Sequence, residues 1–401
     1  MEYAKYISPI NIEGNFIPFS ESGEHVGVIR STEGNCPSIL SRISAHRKAV
    51  FSLLSSGLAK SHRANPAASI KVERLYGLPV LLSGLATLVL STPEQAILES
   101  HFKLHIQNIV KLHDGTPSPV IWFISGCLPF TAQLHLRMMS LFGMITRLDC
   151  GRNVLAMHAR EVFATARPSS KSWFYQIQIL CIQYGLPHPI TYLDSPPTKS
   201  AFKHLVKSSI IDFWEKRLRG EASLLSGASL KYFKSNYMSL TVTHPIFSSC
   251  GSSPYEVAKA KIQARCLSGR ARVEALSRHW DPANRDGYCV LCVGETPSLG
   301  SLEHFLLSGG CPALADARLS MIEMIQAFLV PRQHLFPVVK EYWSQDNEMK
   351  MQFLLDCSNL PLVISLAQAY PEKPIIEDLF YVTRTYVAKV FMTRRRLLPL
   401  K

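Results

Sequence analysis

The sequence lacks any apolar run long enough to span a membrane. The longest mainly apolar stretch extends from Leu78 to Leu90 and contains Pro79, whereas a spanning helix needs about 20 apolar residues. The N-terminus has no basic region followed by an apolar one, so no secretory signal is visible. We therefore expect an intracellular protein, in the nucleus, the cytoplasm or both, without a membrane partner. The same setting predicts that its 10 cysteines are reduced unless they bind metal.

Signatures of several common kinds of catalysis are also missing. The sequence has no phosphate-binding P-loop, no serine nucleophile elbow and no dinucleotide-binding glycine fingerprint. Internal repeats and low-complexity tracts are absent as well. Nucleotide hydrolysis, serine-hydrolase chemistry and dinucleotide-dependent redox chemistry therefore have no support in the sequence.

Positive charge, by contrast, is present in excess. The sequence has 43 Lys and Arg against 30 Asp and Glu, a formal net charge of +13. A surplus of this size is typical of proteins that bind a polyanion, either nucleic acid or an acidic membrane face. Hydrophobic residues make up 47% and charged residues 18% of the chain, the balance of a globular protein. A charge that serves solubility alone remains an alternative.

Apolar residues recur mostly at helical spacing. The stripes from Ile39 to Leu54 and from Phe202 to Phe213 are examples. Strands are indicated within residues 14–31, where two short extended runs flank Glu21–Glu24 and predict a hairpin with a polar turn. The expected fold class is therefore mainly α, with a short N-terminal β-hairpin.

The sharpest local signal is the pattern C-x2-C-x11-H-x6-C, formed by Cys289, Cys292, His304 and Cys311. Two cysteines at this spacing present both thiolates from one tight turn, and a distant His and Cys complete a tetrahedral shell that suits zinc. Four protein ligands predict one structural Zn²⁺ without a catalytic water. Chance spacing is the alternative, and His279 is a second, weaker candidate for the imidazole ligand.

Basic residues alternate with apolar ones just before this pattern. We expect the cations to face outward to phosphates, with arginine making bidentate contacts, and the tryptophan to stack on unpaired bases. A solvated helix face and an aromatic residue of the core are the alternatives. The candidate nucleic-acid-binding residues are Lys259, Lys261, Arg265, Arg270, Arg272, Arg278 and Trp280.

Residues 259–318 resemble the zinc-binding C-terminal region of non-LTR (LINE-type) retrotransposon reverse transcriptases. The resemblance is carried by Ala260–Arg265, Leu267–Arg270, the Cys289/Cys292 pair, Leu302–His304, Cys311-Pro312 and Arg318. A looser likeness covers most of residues 16–400. It includes His25–Val28, similar to the strand that closes the polymerase palm, and Leu379–Arg396, similar to a closing helix.

This resemblance, together with the helical pattern, implies an order of domains. The prolines in residues 186–198 indicate a linker between the thumb-like part and the basic part. The expected order is a palm-end β-hairpin remnant at 1–32, a helical thumb-like domain at 33–185, a Pro-rich linker at 186–198, a basic helical region at 199–280, a zinc knuckle at 281–318 and a C-terminal helical segment at 319–401.

The function implied by the resemblance is contact with template RNA, its hybrid or target DNA, alongside the rest of a retrotransposon polyprotein. Polymerisation requires carboxylates that hold two magnesium ions, and the family carries them in an aromatic-x-Asp-Asp turn. The sequence has no Asp-Asp dipeptide, so we expect no catalytic residues and no DNA synthesis by this chain alone. The alternatives are a zinc-stabilised helical adaptor that docks a protein and a decayed element copy without a function.

Overall fold

The computed structural model describes twelve stretches of the chain, most of them helical. The predicted fold class, mainly α with strands at the N-terminal side and a Cys/His cluster in the C-terminal region, is confirmed. The described residues are 10–12, 15–17, 22–25, 28–31, 34–55, 64–148, 154–165, 171–225, 230–271, 273–277, 286–292 and 298–398.

Two short antiparallel hairpins precede the helices. They pair β1 (Ile10–Ile12) with β2 (Asn15–Ile17), and β3 (Ser22–His25) with β4 (Val28–Ser31). The turn predicted at Glu21–Glu24 is wrong, because Glu24 lies within β3 opposite Ile29. A tertiary contact outweighs the local turn preference here. The hydroxyl of Ser38 accepts from the amide of Ile29 and donates to its carbonyl, both at 2.8 Å, which fixes β4 as a strand.

Helices make up most of the remaining described residues. In chain order they are α1 Cys36–Ser55, α2 Pro66–Val72, α3 Leu78–Leu82, α4 Thr92–Val110, α5 Ser118–Ser125, α6 Phe130–Ile145, α7 Val154–Thr165, α8 Trp173–Gln183, α9 Pro189–Asp194, α10 Lys199–Leu225, α11 Pro245–Ser248, α12 Pro254–Leu267, α13 Glu274–Ser277, α14 Leu302–Leu306, α15 Ala315–Leu329, α16 Phe336–Ser344, α17 Asn347–Leu355, α18 Pro361–Ala369 and α19 Ile375–Leu397. Among the described residues no single helix is both long and apolar enough to cross a membrane, although α5 and α6 reach that length and composition as a bent pair.

The chain divides into two compact units, each assembled from three separate segments. Unit 1 comprises Met1–Ser52, Arg74–His101 and Phe130–Ile210, and unit 2 comprises Leu53–Glu73, Phe102–Pro129 and Ile211–Lys401. This arrangement differs from the consecutive domains expected from the sequence. Hydrophobic periodicity identifies the helices but not their partners, so it does not reveal units built from distant segments.

Residues 186–198, expected to be a linker, lie inside unit 1 and contain α9. Pro189 occupies the first turn of α9, where its missing N–H would have no helical partner in any case. Nδ1 of His188 accepts from the amide of Ile190 at 3.4 Å, which caps the helix. Tyr192 and Leu193 are buried. Pro189 thus starts a packed helix, so residues 189–194 are not an extended linker.

Unit 1 has an aromatic core between α6, α7 and α8. The ring of Phe163 meets those of Phe142 and Phe174 nearly edge to face, with ring centres 5.9 Å apart in both pairs. His135 is buried in α6, with Nδ1 2.6 Å from the hydroxyl oxygen of Tyr184. Burial lowers the pKa of His135 to about 4. The imidazole is therefore neutral in the folded unit at physiological pH.

Unit 2 is organised around its C-terminal helix, α19. Helices α12, α15, α17 and α18 pack against α19, and Leu379 and Phe380 are fully buried between them. Gln263 of α12 donates from Nε2 to the carbonyl of Leu354 at 2.7 Å. The hydroxyl of Tyr386 on α19 donates to the carbonyl of Leu306 at 2.6 Å. This last bond joins the C-terminal helix to α14, one of the segments that carry the predicted metal ligands.

Candidate metal centre

The four predicted ligands lie together in unit 2. Sγ of Cys292 is 3.1 Å from Nε2 of His304 and 3.7 Å from Sγ of Cys311, and Sγ of Cys289 is 3.8 Å from Sγ of Cys311. All four ligand atoms lie within 4.8 Å of one another. Two thiolates bound to one tetrahedral zinc at about 2.3 Å are themselves about 3.8 Å apart. The cluster can therefore hold a metal ion, as its spacing in the sequence predicted.

The first two ligands stand on a turn closed by backbone hydrogen bonds. The amide of Cys292 donates to the carbonyl of Cys289 at 3.3 Å, and the amide of Cys289 donates to the carbonyl of Ser298 at 2.8 Å. A β-bridge pairs Tyr288 with Leu299 on either side of this bond. These backbone bonds fix the start of the turn and hold both cysteine side chains on the same side of the loop.

The other two ligands come from α14 and the turn that follows it. The hydroxyl of Ser301 accepts from the amide of His304 at 3.2 Å, which caps the start of α14. The amide of Cys311 then donates to the carbonyl of His304 at 2.7 Å. A Cβ on Gly310 would lie 2.0 Å from that carbonyl oxygen, so glycine is required for the chain to return so closely. This turn sets the imidazole and the third thiol side by side.

A buried arginine supports both ends of this turn. Arg318 of α15 is 5% exposed. It donates from Nη1 to the carbonyl of Phe305 at 3.1 Å and from Nη2 to the carbonyl of Cys311 at 2.8 Å. Because one guanidinium group satisfies both carbonyls, Arg318 holds the end of α14 and the last ligand in a fixed relation.

A buried ion pair supports the segment around Gly300, which lies between the first and second pairs of ligands. Nη2 of Arg394 on α19 is 2.5 Å from Oε1 of Glu274, and its guanidinium lies over the ring of Phe305 at 4.6 Å. Gly300 passes so close that a Cβ would lie 2.6 Å from the Glu274 carboxylate. The carbonyl of Gly300 also accepts from the amide of Ala275 at 3.1 Å. The metal-binding loop is thus joined to α13 and α19.

The surroundings favour the neutral forms of Cys289, Cys292 and His304 before any metal binds. Burial raises the pKa of the Cys289 thiol, while the backbone amides of Leu291 and Cys292 act in the opposite direction. Burial, with the neighbouring thiols, raises the pKa of Cys292 to about 12. Burial, and after it the charge of Arg318, lowers the pKa of His304. A metal ion would bind the neutral imidazole directly and would displace protons from the thiols.

One predicted nucleic-acid contact, Lys259, is buried. Its side chain is 5% exposed, and Nζ is 2.7 Å from Oε1 of Glu256 and 3.1 Å from Oγ1 of Thr385. The ammonium group also lies over the rings of Tyr255 and Tyr381, at 4.4 and 5.4 Å. A phosphate has no access to it, so this prediction was wrong. Because α12 packs against α19, it buries a wider face than the alternation of apolar residues indicated.

The other predicted contacts on and after α12 are more accessible. Arg265 is exposed, while Lys261 and Arg270 are half-buried. Nε of Arg265 donates to the carbonyl of Lys111 at 2.9 Å, and phosphate binding by these residues stays a prediction. The remaining candidates and the alternative imidazole ligand lie outside the described residues: Arg272, Arg278, Trp280 and His279.

The residues that support the centre from a distance were not predicted from the sequence. Glu274 and Arg394 are 120 residues apart in the chain, so no local spacing links them. The hydroxyl of Tyr232 donates to Glu303, and Nζ of Lys231 is 3.2 Å from the same carboxylate. Glu303 directly precedes the ligand His304 in the sequence, and this position is the local signal for its contacts with Tyr232 and Lys231.

Comparison of the chain with family models, with curated proteins and with solved structures found no match in any of the three. The interpretation of the centre therefore depends on its own chemistry. That chemistry consists of three sulfur donors and one imidazole, held by backbone bonds and buried charges at the separations of a shared ion.

Proposed function

We propose that this chain binds nucleic acid through a helical unit that one structural Zn²⁺ stabilises. The observation that carries the proposal is the convergence of Cys289, Cys292, His304 and Cys311. Three thiolates and an imidazole suit zinc, whereas magnesium and calcium prefer oxygen ligands. Four protein ligands leave no open position for a catalytic water, so the role of the ion is structural.

The ion would join segments that are too short to be stable alone. Helix α14 has only 5 residues, far fewer than an isolated helix needs in water. The turn at Cys289–Cys292 is held mainly by its own backbone bonds and by its bridge to Leu299. Because the ligands meet only in the folded unit, the free energy of zinc binding adds to the free energy of folding.

Positive charge supports a polyanionic partner. The chain carries a net charge of +13, and α12 presents Lys261 and Arg265 one helical turn apart, the first half-buried and the second exposed. Cations in this arrangement gain affinity for phosphates when condensed counterions are released. The amide of Ala275 on α13 donates to the carbonyl of Gly300, so the segment after α12 is tied to the metal-binding loop. Loss of zinc should therefore weaken nucleic-acid binding as well as the fold.

The resemblance of residues 259–318 to non-LTR retrotransposon reverse transcriptases supports the same function. On this basis the partner is template RNA, its hybrid with DNA, or target DNA. The chain would contribute binding within a longer polyprotein and would supply no polymerase carboxylates. Its role is to hold the nucleic acid, and synthesis belongs to another part of that polyprotein.

A filter-binding assay with single-stranded RNA and duplex DNA across a salt series tests this proposal. We expect log affinity to fall linearly with log salt concentration, because each phosphate contact releases counterions. Cys311→Ser should weaken binding, and Cys36→Ser, which changes an exposed cysteine outside the cluster, should not. Affinity for neither nucleic acid, or affinity independent of salt, would contradict the proposal.

A protein partner is the second candidate, and one observation favours it. Tyr288, Val290 and Leu299 surround the first ligand and are 45%, 56% and 45% exposed. Exposed apolar groups that lie together are typical of protein-docking surfaces. The same salt series separates the two candidates, because an adaptor would keep its zinc and yet show no salt-dependent affinity for nucleic acid.

A further inference from the structure

The first half of α10 carries a row of three exposed lysines. Lys199, Lys203 and Lys207 follow one another at intervals of four residues. Residues four apart on a helix are neighbours on one face, and each step advances the row by about 6 Å along the helix axis. All three positions belong to unit 1. This lysine row therefore lies in a different unit from the candidate metal centre.

The packing of α10 fixes the direction of the lysine row. Phe202 and Val206 are buried. The ring centre of Phe202 is 5.1 Å from that of Tyr192 on α9, and a Cβ on Gly143 of α6 would lie 2.3 Å from the same ring. The lysine row is displaced from these buried residues by one position, which is about 100° around the helix. It therefore runs along the edge of the packed face and is open to solvent.

No acid on α10 compensates the charges of the lysine row. The helix has no Asp or Glu before Asp212, so no position three or four residues from a lysine of the row holds a carboxylate. The second half of the same helix differs in this respect. Arg219 pairs with Glu215 at 2.6 Å, and Arg217 pairs with Glu221 at 3.1 Å. The cations there have partners on their own helix, and those of the lysine row do not.

The helices packed against this part of α10 do not supply a counter-charge either. Helix α6 contains no Asp or Glu, and the single acid of α9, Asp194, pairs with Arg160 at 2.5 Å. Within the part of the chain that the structure describes, none of the three lysines forms an ion pair. Like charges four residues apart weaken a helix, and cations near its N-terminus oppose the helix dipole. Helix stability therefore does not explain the lysine row.

We propose that the lysine row binds the sugar-phosphate backbone of one nucleic-acid strand. The class of partner rests on the proposed function, to which this inference adds a contact surface in unit 1. Charge complementarity supports the assignment, because a strand with regularly spaced phosphates offers a counter-charge at each position of the row. Lysine is a point charge on a long flexible stem. The row is therefore suited to contacts with the backbone, which position a strand without reading its bases.

The triple variant Lys199→Gln/Lys203→Gln/Lys207→Gln tests the lysine row in the full chain. Binding of a fluorescent single-stranded RNA is measured by anisotropy across a salt series. We expect the affinity at low salt to fall at least about ten-fold, and the slope of log affinity against log salt to become shallower by about 2, since each phosphate contact of a single strand contributes about 0.7. The Tm should be unchanged or higher, because repelling charges are removed.

Two further variants keep this test independent of folding. Replacing all three lysines of the row by arginine keeps the charges, and this protein should bind RNA as the wild type does. If the Tm of the triple glutamine variant falls, the single variant Lys203→Gln in the middle of the row replaces it. Its slope should become shallower by about 0.7 at an unchanged Tm, and an unchanged slope would overturn the proposal.

A matched control removes the same number of charges from scattered positions. Lys71, Lys340 and Lys389 are exposed and belong to three different helices. The variant Lys71→Gln/Lys340→Gln/Lys389→Gln therefore lowers the net charge equally and leaves the lysine row intact. Its affinity and salt slope should change much less than those of the row variant. Equal losses in the two triple variants would overturn the lysine row as a binding surface and leave only general electrostatic attraction.

The outcomes separate this inference from the proposed function. If the wild type binds RNA and the row variant keeps its affinity and slope, the lysine row is wrong and the proposed function stands. If the row variant loses binding while Cys311→Ser binds as the wild type does, the lysine row stands and the zinc-stabilised unit is not the binding unit.

An acidic protein is the other polyanion that suits a row of lysines, and labelled poly-glutamate is its probe. Binding of poly-glutamate by the wild type without binding of RNA would overturn both the nucleic-acid strand as the occupant of the lysine row and the proposed function. Binding of neither probe would overturn both as well.

Discussion

Arg318 donates a hydrogen bond from Nη2 to the backbone carbonyl of Cys311 at 2.8 Å. The same guanidinium donates to the carbonyl of Phe305 at 3.1 Å, so a single buried cation lies directly behind one metal ligand and beside the helix of another. Ligand geometry in metal centres commonly depends on such outer contacts. The stability of the candidate centre should therefore respond to changes that touch no ligand.

Replacing Arg318 tests this dependence. Arg318→Met keeps much of the volume but removes the donor to two carbonyls, of which that of Cys311 still accepts from the amide of Leu314 at 3.1 Å. We expect a loss of about 2 kcal/mol in the free energy of unfolding. Zinc should also be lost to a competing chelator at a lower chelator concentration. Arg332→Met is the matched control, since Arg332 pairs with Asp378 on a partly exposed surface and should cost less than about 1 kcal/mol. Equal losses for the two variants in urea denaturation would show that Arg318 has no special role.

Gly310 should tolerate no side chain. In Gly310→Ala the new Cβ would meet the carbonyl oxygen of His304 at 2.0 Å, so the turn that places Cys311 must open. We expect a loss of at least about 2 kcal/mol in unfolding free energy and a lower metal content. In Gly220→Ala the new Cβ meets nothing within 4 Å, and alanine should slightly stabilise α10. A Gly310→Ala protein with full metal content and unchanged Tm would contradict the described turn.

The burial of His135 predicts how the free energy of unfolding of unit 1 depends on pH. Its pKa in the folded protein is about 4 because of burial, whereas an unfolded histidine has a pKa near 6.5. The unfolded chain therefore takes up the proton first as the pH falls. Stability is fully present above pH ~6.5 and is lost as the pH falls towards about 4, by up to about 3 kcal/mol.

Urea denaturation at a series of pH values measures this dependence. His135→Gln should make the decline between pH ~6.5 and ~4 smaller by up to about 3 kcal/mol, even if the variant is less stable at neutral pH, and the part of the decline that His304 causes should stay. The control is His158→Gln, because the side chain of His158 is 57% exposed and its replacement should leave the decline unchanged. Parallel curves for wild type and His135→Gln would show that His135 does not cause the loss.

Replacement of Lys259 and replacement of Lys261 should affect different properties, stability and nucleic-acid binding respectively, although both residues belong to α12. Lys259 is buried against Glu256, so Lys259→Met should lower the unfolding free energy by about 1–3 kcal/mol and leave the salt slope of nucleic-acid binding unchanged. Lys261→Gln should do the reverse and reduce the slope with little effect on Tm. Salt-dependent binding and thermal unfolding of the two variants check this contrast. A reduced slope in Lys259→Met would contradict the buried position of this lysine.

The metal ligands were predictable because their signal is local. The pair Cys289 and Cys292, and the pair His304 and Cys311, each depend on one short turn whose residues are close in the sequence. The buried partners of the centre come from α15 and α19, and only the tertiary fold brings them there. The pairing of Glu274 with Arg394 could therefore not be predicted from spacing.

A recurrent His-Pro-Ile segment shows how a pattern can be misinterpreted. His188 and His244 each precede a proline that begins a short helix, and each accepts through Nδ1 from the amide of the isoleucine two residues later, at 3.4 and 3.2 Å. At the first of these positions the proline content of the sequence predicts a linker, whereas the structure has a helix. Proline is common both at the start of helices and in linkers, and the burial of the residues that follow it shows which of the two structures is present.

Metal analysis of the wild-type chain, purified without chelators, tests the central claim most directly. The account predicts about one equivalent of zinc per chain for the wild type, retained in Cys36→Ser and lost in Cys289→Ser and Cys311→Ser. Less than about half an equivalent in the wild type, or the same zinc content in all four proteins, would contradict a metal centre formed by Cys289, Cys292, His304 and Cys311.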